Sequence, residues 1–368
     1  MTDLRTKRSS NIELLRIISM LMIVASHATQ HSGLGDWQII SNPININLIA
    51  TYMLGTYGQL GVIIFIIISS WFLCDKDGIH IKKAVHLYLQ TMLCSIAIFF
   101  FIKFFNFEPV GIKEFVIAFL TPVYKGYWFI RSYLIFYLLV PFLQNYLKKA
   151  EQKQVEKLFV SITIFIPVLR FFFFVEEFGN VGDFIYIFIA VYCLKKRPGN
   201  FLEKHAKILS AALLVLMWTT MIAVNFVGHK INLTKDITKG VLIHIFANRN
   251  IFLMILAMCV FYVFKNNLKI GYSKIVNAVA GTTLGVYIFH ENPLFCSYGE
   301  KGLRETALLF EHWLKIGIHF EQDKFYSLYF IACVVGVFTA CSLLEFARQL
   351  LCKTVSFAGK IIFIKKTV

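Results

Sequence analysis

Apolar runs, most of them about 17–25 residues long and so of a length that spans a bilayer as a helix, recur from one end of the chain to the other. Short stretches holding Lys, Arg, Gly or Pro separate them. The pattern predicts spanning helices at 12–28, 57–73, 85–105, 127–147, 158–175, 181–194, 208–227, 241–264, 275–294 and 325–347. Strands of a membrane barrel would alternate polar and apolar residues over roughly ten positions, and these runs do not. The expected fold is therefore all-α, a polytopic transmembrane helical bundle of about ten spans. Residues 1–350 form the membrane domain and 351–368 a basic tail. The stretch between the last two spans is too long for a simple link. Within it Leu303, Ala307, Phe310 and Leu314 recur at helical spacing, while Arg304, Glu305, Glu311 and Lys315 fall elsewhere. That predicts an amphipathic helix lying on the membrane surface or over the mouth of the bundle.

Composition agrees. The 368 residues are 58% hydrophobic and 16% charged, with a mean hydropathy of +0.67. A soluble domain runs nearer about 45–50% apolar and about 25% charged. The net charge of +16 would suggest nucleic acid, but its distribution argues against that partner. The basic residues sit in short loops between apolar runs. Placing the N-terminus in the cytoplasm puts most of the 37 Lys and Arg on the inner side, so both termini are expected there and the number of spans is even. Arg5, Lys7 and Arg8 ahead of the first apolar run mimic a signal peptide, but Glu13 and Arg16 interrupt it and no cleavage pattern follows Val24. It reads as a retained span. The eight cysteines form no Cys-x-x-Cys pair and no zinc spacing, and most lie in apolar runs, where Cys acts as a small hydrophobe.

Ionisable side chains inside spans cost several kcal/mol, which makes them the places to look for chemistry. Arg16 and His27 are eleven positions apart in the first span. At about 100° per residue they project from one face, about 16 Å apart along the axis. Trp128 and Arg131 begin the fourth span, Arg249 lies in the outer half of the eighth, Arg170 approaches the outside in the fifth, and His290 and Glu291 end the ninth. All converge near the depth of His27, while Arg16 stands toward the inside. Individually each Arg also reads as an interfacial anchor and Trp128 as an aromatic-belt residue. His27 and His31 have a spacing that holds a metal on one helix, but no third ligand follows in sequence, and the expectation is that no metal is used. Gly55, Gly58 and Gly61 read as helix-packing positions. No phosphate-binding Gly-rich loop and no Gly-x-Ser-x-Gly elbow is present.

Four segments together resemble a known family. Asn11-Ile-Glu-Leu-Leu-Arg16, continuing to His27, resembles the opening of the acyltransferase-3 family of membrane acyltransferases, whose hallmark is an Arg, ten residues and a His in the first span. The segment from Gly58 through Gly61, Phe65 and Ser69 to Phe72 is similar to its second-span pattern, with Ser70 where Gly is usual. Tyr127-Trp128-Phe129 through Tyr133, Tyr137 and Pro141 resembles its Trp-Phe span, and Gly281 through Gly285 and Tyr287 to His290 resembles its late Tyr-x-x-His segment. After the second span, members often carry paired arginines; Lys82, Lys83 and His86 stand there instead.

The resemblance implies a membrane-bound O-acyltransferase moving an acyl group, usually acetyl, from acetyl-CoA or another acyl-CoA to a hydroxyl of a surface glycan or its lipid-linked oligosaccharide precursor. It implies a multi-pass protein of the bacterial inner (plasma) membrane, bathed in membrane lipids and working beside polysaccharide synthase or export machinery in capsule or exopolysaccharide modification. His27 is the expected general base, because a neutral imidazole suits proton abstraction from a sugar hydroxyl. A covalent acyl-histidine is the alternative route. Arg16 is expected to pair with donor phosphate or to hold the helix in register, and Lys82 and Lys83 occupy the donor-binding place. Trp128 is expected to stack on a sugar, Arg131 to stabilise the oxyanion, and Arg249, Tyr287, His290 and Glu291 to line the acceptor site. The competing class is a transporter or flippase for a glycan or lipid precursor, with the same charges lining a pathway; a third is a structural partner of a polysaccharide synthase.

Overall fold

The computed structural model describes residues 9–32, 46–76, 78, 81–121, 123, 126–173, 179–231, 241, 244–245, 249–296 and 308–366. Among these every regular element is helical and none is a strand. In chain order the α-helices are α1 (Ser10–Gln30), α2 (Ile46–Gly55), α3 (Gly58–Leu73), α4 (Ile81–Phe104), α5 (Ile112–Leu120), α6 (Trp128–Lys149), α7 (Gln152–Thr163), α8 (Leu169–Phe173), α9 (Gly179–Lys195), α10 (Phe201–Lys230), α11 (Ile251–Tyr262), α12 (Lys274–Ala280), α13 (Thr283–His290), α14 (Ile316–Gln322) and α15 (Tyr326–Lys366). Wider π-helical turns occupy Ile164–Val168, Val263–Asn267 and Leu308–Trp313.

Five helical stretches are long and apolar enough to cross a membrane: Ser10–Gln30, Ile46–Leu73, Ile81–Phe104, Phe201–Gly228 and Tyr326–Thr354. Their exposed faces carry large apolar side chains, among them Phe100, Val215, Phe226, Leu328 and Leu343. Such a surface is stable against lipid and not against water. Of the expected spans not among these five, α6 is an unbroken 22-residue helix that carries Lys148 and Lys149 at its end, and the others are shorter or interrupted. The run at 158–175 is broken by the π turn at Pro167, a residue with no N–H to give the ladder. The run at 275–294 is divided into α12 and α13 at Gly281-Thr282. Within the run at 241–264, Arg249 and Asn250 are non-helical, and helix begins again at Ile251, where the Asn250 side chain accepts the Leu253 N–H at 3.0 Å and caps α11. Arg249 therefore lies just ahead of a helix rather than within it. The expected amphipathic helix falls mostly outside the described residues; its remainder is the π turn at Leu308–Trp313, with Leu308 and Phe310 buried. The basic tail beyond 350 continues α15 as helix to Lys366.

The first helix is the hub. It packs against α2, α3, α12, α13 and α15, and α13 in turn packs on α4 and α15. The close approach of α3 depends on glycine. A Cβ at Gly61 would lie 2.5 Å from the Ser19 carbonyl oxygen of α1, and one at Gly58 would overlap Ser26. The predicted packing glycines therefore set the distance between the two helices. The N-terminal end of α1 is tied down as well. The Asn11 amide donates to the Phe264 carbonyl at 2.8 Å, and the Ser10 hydroxyl accepts from the Ser273 N–H at 2.9 Å.

Candidate functional site

One rod carries two of the expected groups. On α1, Arg16 and His27 line the same cavity of about 320 Å³, as three helical turns between them require. At the Arg16 end the wall includes Leu73 and Lys76; at the His27 end it includes Trp128, Phe129 and Tyr287. Met20, Ile23, Val62 and Phe65 form an apolar waist between. The Arg16 guanidinium lies 3.7 Å from Glu13, one turn earlier.

The surroundings of His27 come from the far end of the chain. Helix α13 stops at His290, and the turn that follows is pinned by Asn292, whose side chain accepts the Leu294 N–H and donates to the Tyr127 hydroxyl at 2.8 Å and to Ser95 at 3.2 Å. Tyr127 donates in turn to the Ile288 carbonyl at 2.5 Å. This turn delivers His290 and Glu291 to α1. His27 Nδ1 lies 2.8 Å from Glu291 Oε2 and 2.9 Å from His290 Nε2. His290 Nδ1 lies 2.5 Å from the Val286 carbonyl. A carbonyl only accepts, so His290 carries its proton on Nδ1 and offers a lone pair at Nε2. His27 must then be the donor at Nδ1, to the carboxylate and to His290. That leaves its Nε2 with the lone pair, the tautomer a base needs.

Glu291 also lies 3.3 Å from His31 Nε2, and the Cys296 thiol is 3.8 Å from the same carboxylate oxygen while donating to the His290 carbonyl at 3.3 Å. Two groups of three metal-ligating atoms thus gather here: His27, His290 and Glu291, and His31, Glu291 and Cys296. The expectation of no metal rested on the lack of a third ligand near His31 in sequence. The fold brings two, from the turn after α13.

The remaining expected site residues divide. Tyr287 lines the cavity with its ring 6.4 Å from that of His27. Trp128 lines it too, and its outer face covers Arg249, whose guanidinium carbon lies 5.2 Å from the ring centroid. Arg249 is held by Asp183 at 3.1 Å and by Asn180 at 2.5 Å. Asp183 is fully buried and pairs on its other oxygen with Arg170 at 2.7 Å. Arg249 thus reaches the cavity through Trp128. Arg131 is half-buried on α6, one turn past Tyr127, and is not among the lining residues. Lys82 and Lys83 are exposed at the start of α4, away from the wall.

Lys76, read in the sequence only as a loop charge, stands in the wall instead. Burial, then the charges of Lys83 and Arg16, push its ammonium below its usual pKa. Lys76 and Arg16 thus share one mouth, with Lys83 near enough to be felt. The signal was present in the sequence, since Lys76 follows the end of the second apolar run by three residues, but any loop lysine looks the same.

No curated protein and no solved structure matches the chain. A family model does: the acyltransferase-3 model, described as an acyltransferase domain, matches residues 9–346. That match runs through α1, the cavity, the turn after α13 and the first half of α15, so the chain belongs to the acyltransferase-3 family of multi-pass membrane acyltransferases.

Proposed function

We propose that the protein transfers an acyl group, acetyl in the simplest case, from an acyl-CoA to a hydroxyl of a cell-surface glycan or its lipid-linked precursor, with His27 as general base. The observation that carries this reading is the hydrogen-bond chain from the Val286 carbonyl through His290 to His27 and Glu291, which leaves His27 Nε2 unprotonated on a residue that lines the cavity. Nε2 takes the hydroxyl proton as the sugar oxygen attacks the thioester carbonyl. The imidazolium so formed is stabilised by the Glu291 carboxylate, as in other His–carboxylate pairs. Collapse of the tetrahedral adduct breaks the carbon–sulfur bond, and the imidazolium returns its proton to the departing thiolate of coenzyme A. His290 and Glu291 act here by orienting the base rather than by lining an acceptor site.

The cationic mouth of Arg16 and Lys76, with Lys82 and Lys83 beyond it, suits the phosphates of the donor. Trp128 offers a flat face to a sugar ring, and Tyr287 closes the same end. The chain crosses the bilayer about ten times with both termini in the cytoplasm of a bacterial cell, so donor enters from the cytosol at the Arg16 end and acceptor from outside at the His27 end. A second cavity of about 790 Å³, walled almost wholly by apolar side chains of α4, α13 and α15, borders Phe289, the neighbour of His290. It supports an acceptor carried on a lipid.

The test is NMR of the surface glycan from cells expressing the parent or His27→Ala. The expected result is loss of the O-acyl resonance with the glycan still exported and the variant still inserted in the membrane. A loss on the order of 10²–10⁴-fold in rate is what removing a general base produces. Failure of export with acylation intact would point to a transporter or flippase, and no phenotype at all to a structural partner of a synthase.

A further inference from the structure

The cluster around Glu291 contains two sets of distances that mean different things. His27 Nδ1 lies 2.9 Å from His290 Nε2 and 2.8 Å from Glu291 Oε2, the length of a hydrogen bond. Ligand atoms around a tetrahedral zinc stand farther from one another. With bonds of about 2.0–2.2 Å to nitrogen and oxygen and about 2.3 Å to sulfur, the edges of the tetrahedron are about 3.3–3.6 Å. His31 Nε2 is 3.3 Å from Glu291 Oε2, Cys296 Sγ is 3.8 Å from it, and the three donor atoms all lie within 4.8 Å of one another. In the second set the His31–Glu291 distance has the length of a tetrahedral edge, and Cys296 Sγ stands a little beyond one.

We propose that His31, Glu291 and Cys296 bind a divalent transition cation, with Zn²⁺ the ion their donor set favours. Imidazole nitrogen, carboxylate oxygen and thiolate sulfur together suit a borderline-soft tetrahedral ion and not Mg²⁺ or Ca²⁺, which take oxygen alone. The three residues sit on separate pieces of backbone: His31 is the C-cap of α1, Glu291 the C-cap of α13, and Cys296 closes the turn that follows, its N–H bonded to the Asn292 carbonyl at 3.0 Å. Their convergence therefore does not follow from helical spacing. Charge argues the same way. Glu291 and Cys296 are 5% and 0% exposed, so the site gathers an acidic group and a thiol in a place with little water, where a cation repays the cost of the buried negative charge. On binding, the Cys296 S–H bond breaks, its proton leaves to bulk water, and the thiolate forms the metal–sulfur bond. His31 is 10% exposed at its side chain, which places the least buried ligand toward the outer end of α1.

The experiment uses the full chain purified in detergent, stripped by a chelator and titrated with ZnCl₂ or with CoCl₂ as a spectroscopic probe, and needs no assay of acyl transfer. The expected result is one retained Zn²⁺ per folded chain and, with Co²⁺, a thiolate-to-cobalt charge-transfer band. Cys296→Ser should abolish that band, and Cys296→Ser or His31→Gln should weaken retention by more than about tenfold. Thermal unfolding and gel filtration show that each variant is folded, and Cys352→Ser, which removes the one exposed thiol among the described residues, should change nothing. No stoichiometric metal on the folded parent overturns the proposal. So does a band that survives Cys296→Ser, or one that disappears with Cys352→Ser.

Discussion

At the scale of single residues, the arrangement turns on which nitrogen of His27 holds the proton. Its Nδ1 faces an acceptor on each side, Glu291 and the Nε2 of His290, and His290 is itself locked by the Val286 carbonyl. The tautomer follows from the acceptors rather than from His27 alone. Glu291→Gln keeps the size of the side chain but removes the charge that, in the proposed reaction, steadies the imidazolium, and its amide can present either a donor or an acceptor. The expected outcome is a fall in kcat on the order of 10²-fold or more with the KM for acyl-CoA little changed, measured on purified protein with a soluble sugar acceptor. A raised KM with kcat unchanged would assign Glu291 to substrate binding. This part of the site was only half legible in the sequence. Arg16 and His27 share a face by helical arithmetic that needs no other element. The pairing of His27 with Glu291 joins residues at opposite ends of the chain, and nothing local encodes it; the sequence showed only that the two lie at similar depth. Lys76 was hidden for a different reason, since loop lysines are common near membrane surfaces.

At the scale of helices, the apolar runs located the elements and misjudged several ends. Hydropathy sees the run at 241–264 as continuous, whereas the helix is interrupted at Arg249-Asn250 and starts afresh where Asn250 accepts from Leu253. The short α2 and α5, with few residues and no apolar run of spanning length, went unnoticed. Glycine spacing was the better guide to packing. Gly58 and Gly61 face α1 with no room for a side chain, and at Gly61 the obstacle is a main-chain oxygen that cannot rotate away. Gly61→Val should therefore push α3 from α1 and cost about 1–3 kcal/mol, seen as a lower unfolding midpoint in detergent. It should also cost activity, because Val62 and Phe65 of α3 wall the cavity that α1 opens onto. A Gly61→Val protein with the parent's midpoint would mean the two helices approach less closely than described.

At the scale of the molecule, two systems of buried charge are built differently. The His27 cluster lies at the junction of α1 with the turn after α13. The other, Arg170–Asp183–Arg249, ties α8 and α9 to the segment leading into α11, and supports Trp128 from behind. One carboxylate there serves two guanidiniums. Asp183→Asn would leave both cations buried without their counter-charge, a loss of about 3–5 kcal/mol, and the midpoint of thermal unfolding should drop accordingly. A variant that melts with the parent would show that water already reaches this network. The sequence put these arginines at similar depth and took them for anchors or sugar contacts, because the aspartate that binds them both lies in a different apolar run.

One further consequence lies in α1. Because a single continuous helix holds Arg16 and His27, the gap of about 16 Å between them is set by backbone pitch and not by how side chains relax. Read with the proposed chemistry, the helix works as a gauge. A donor must bridge that interval between its anchored phosphates and its reactive carbon, and a thioester on a much shorter arm can satisfy one end or the other, never both at once.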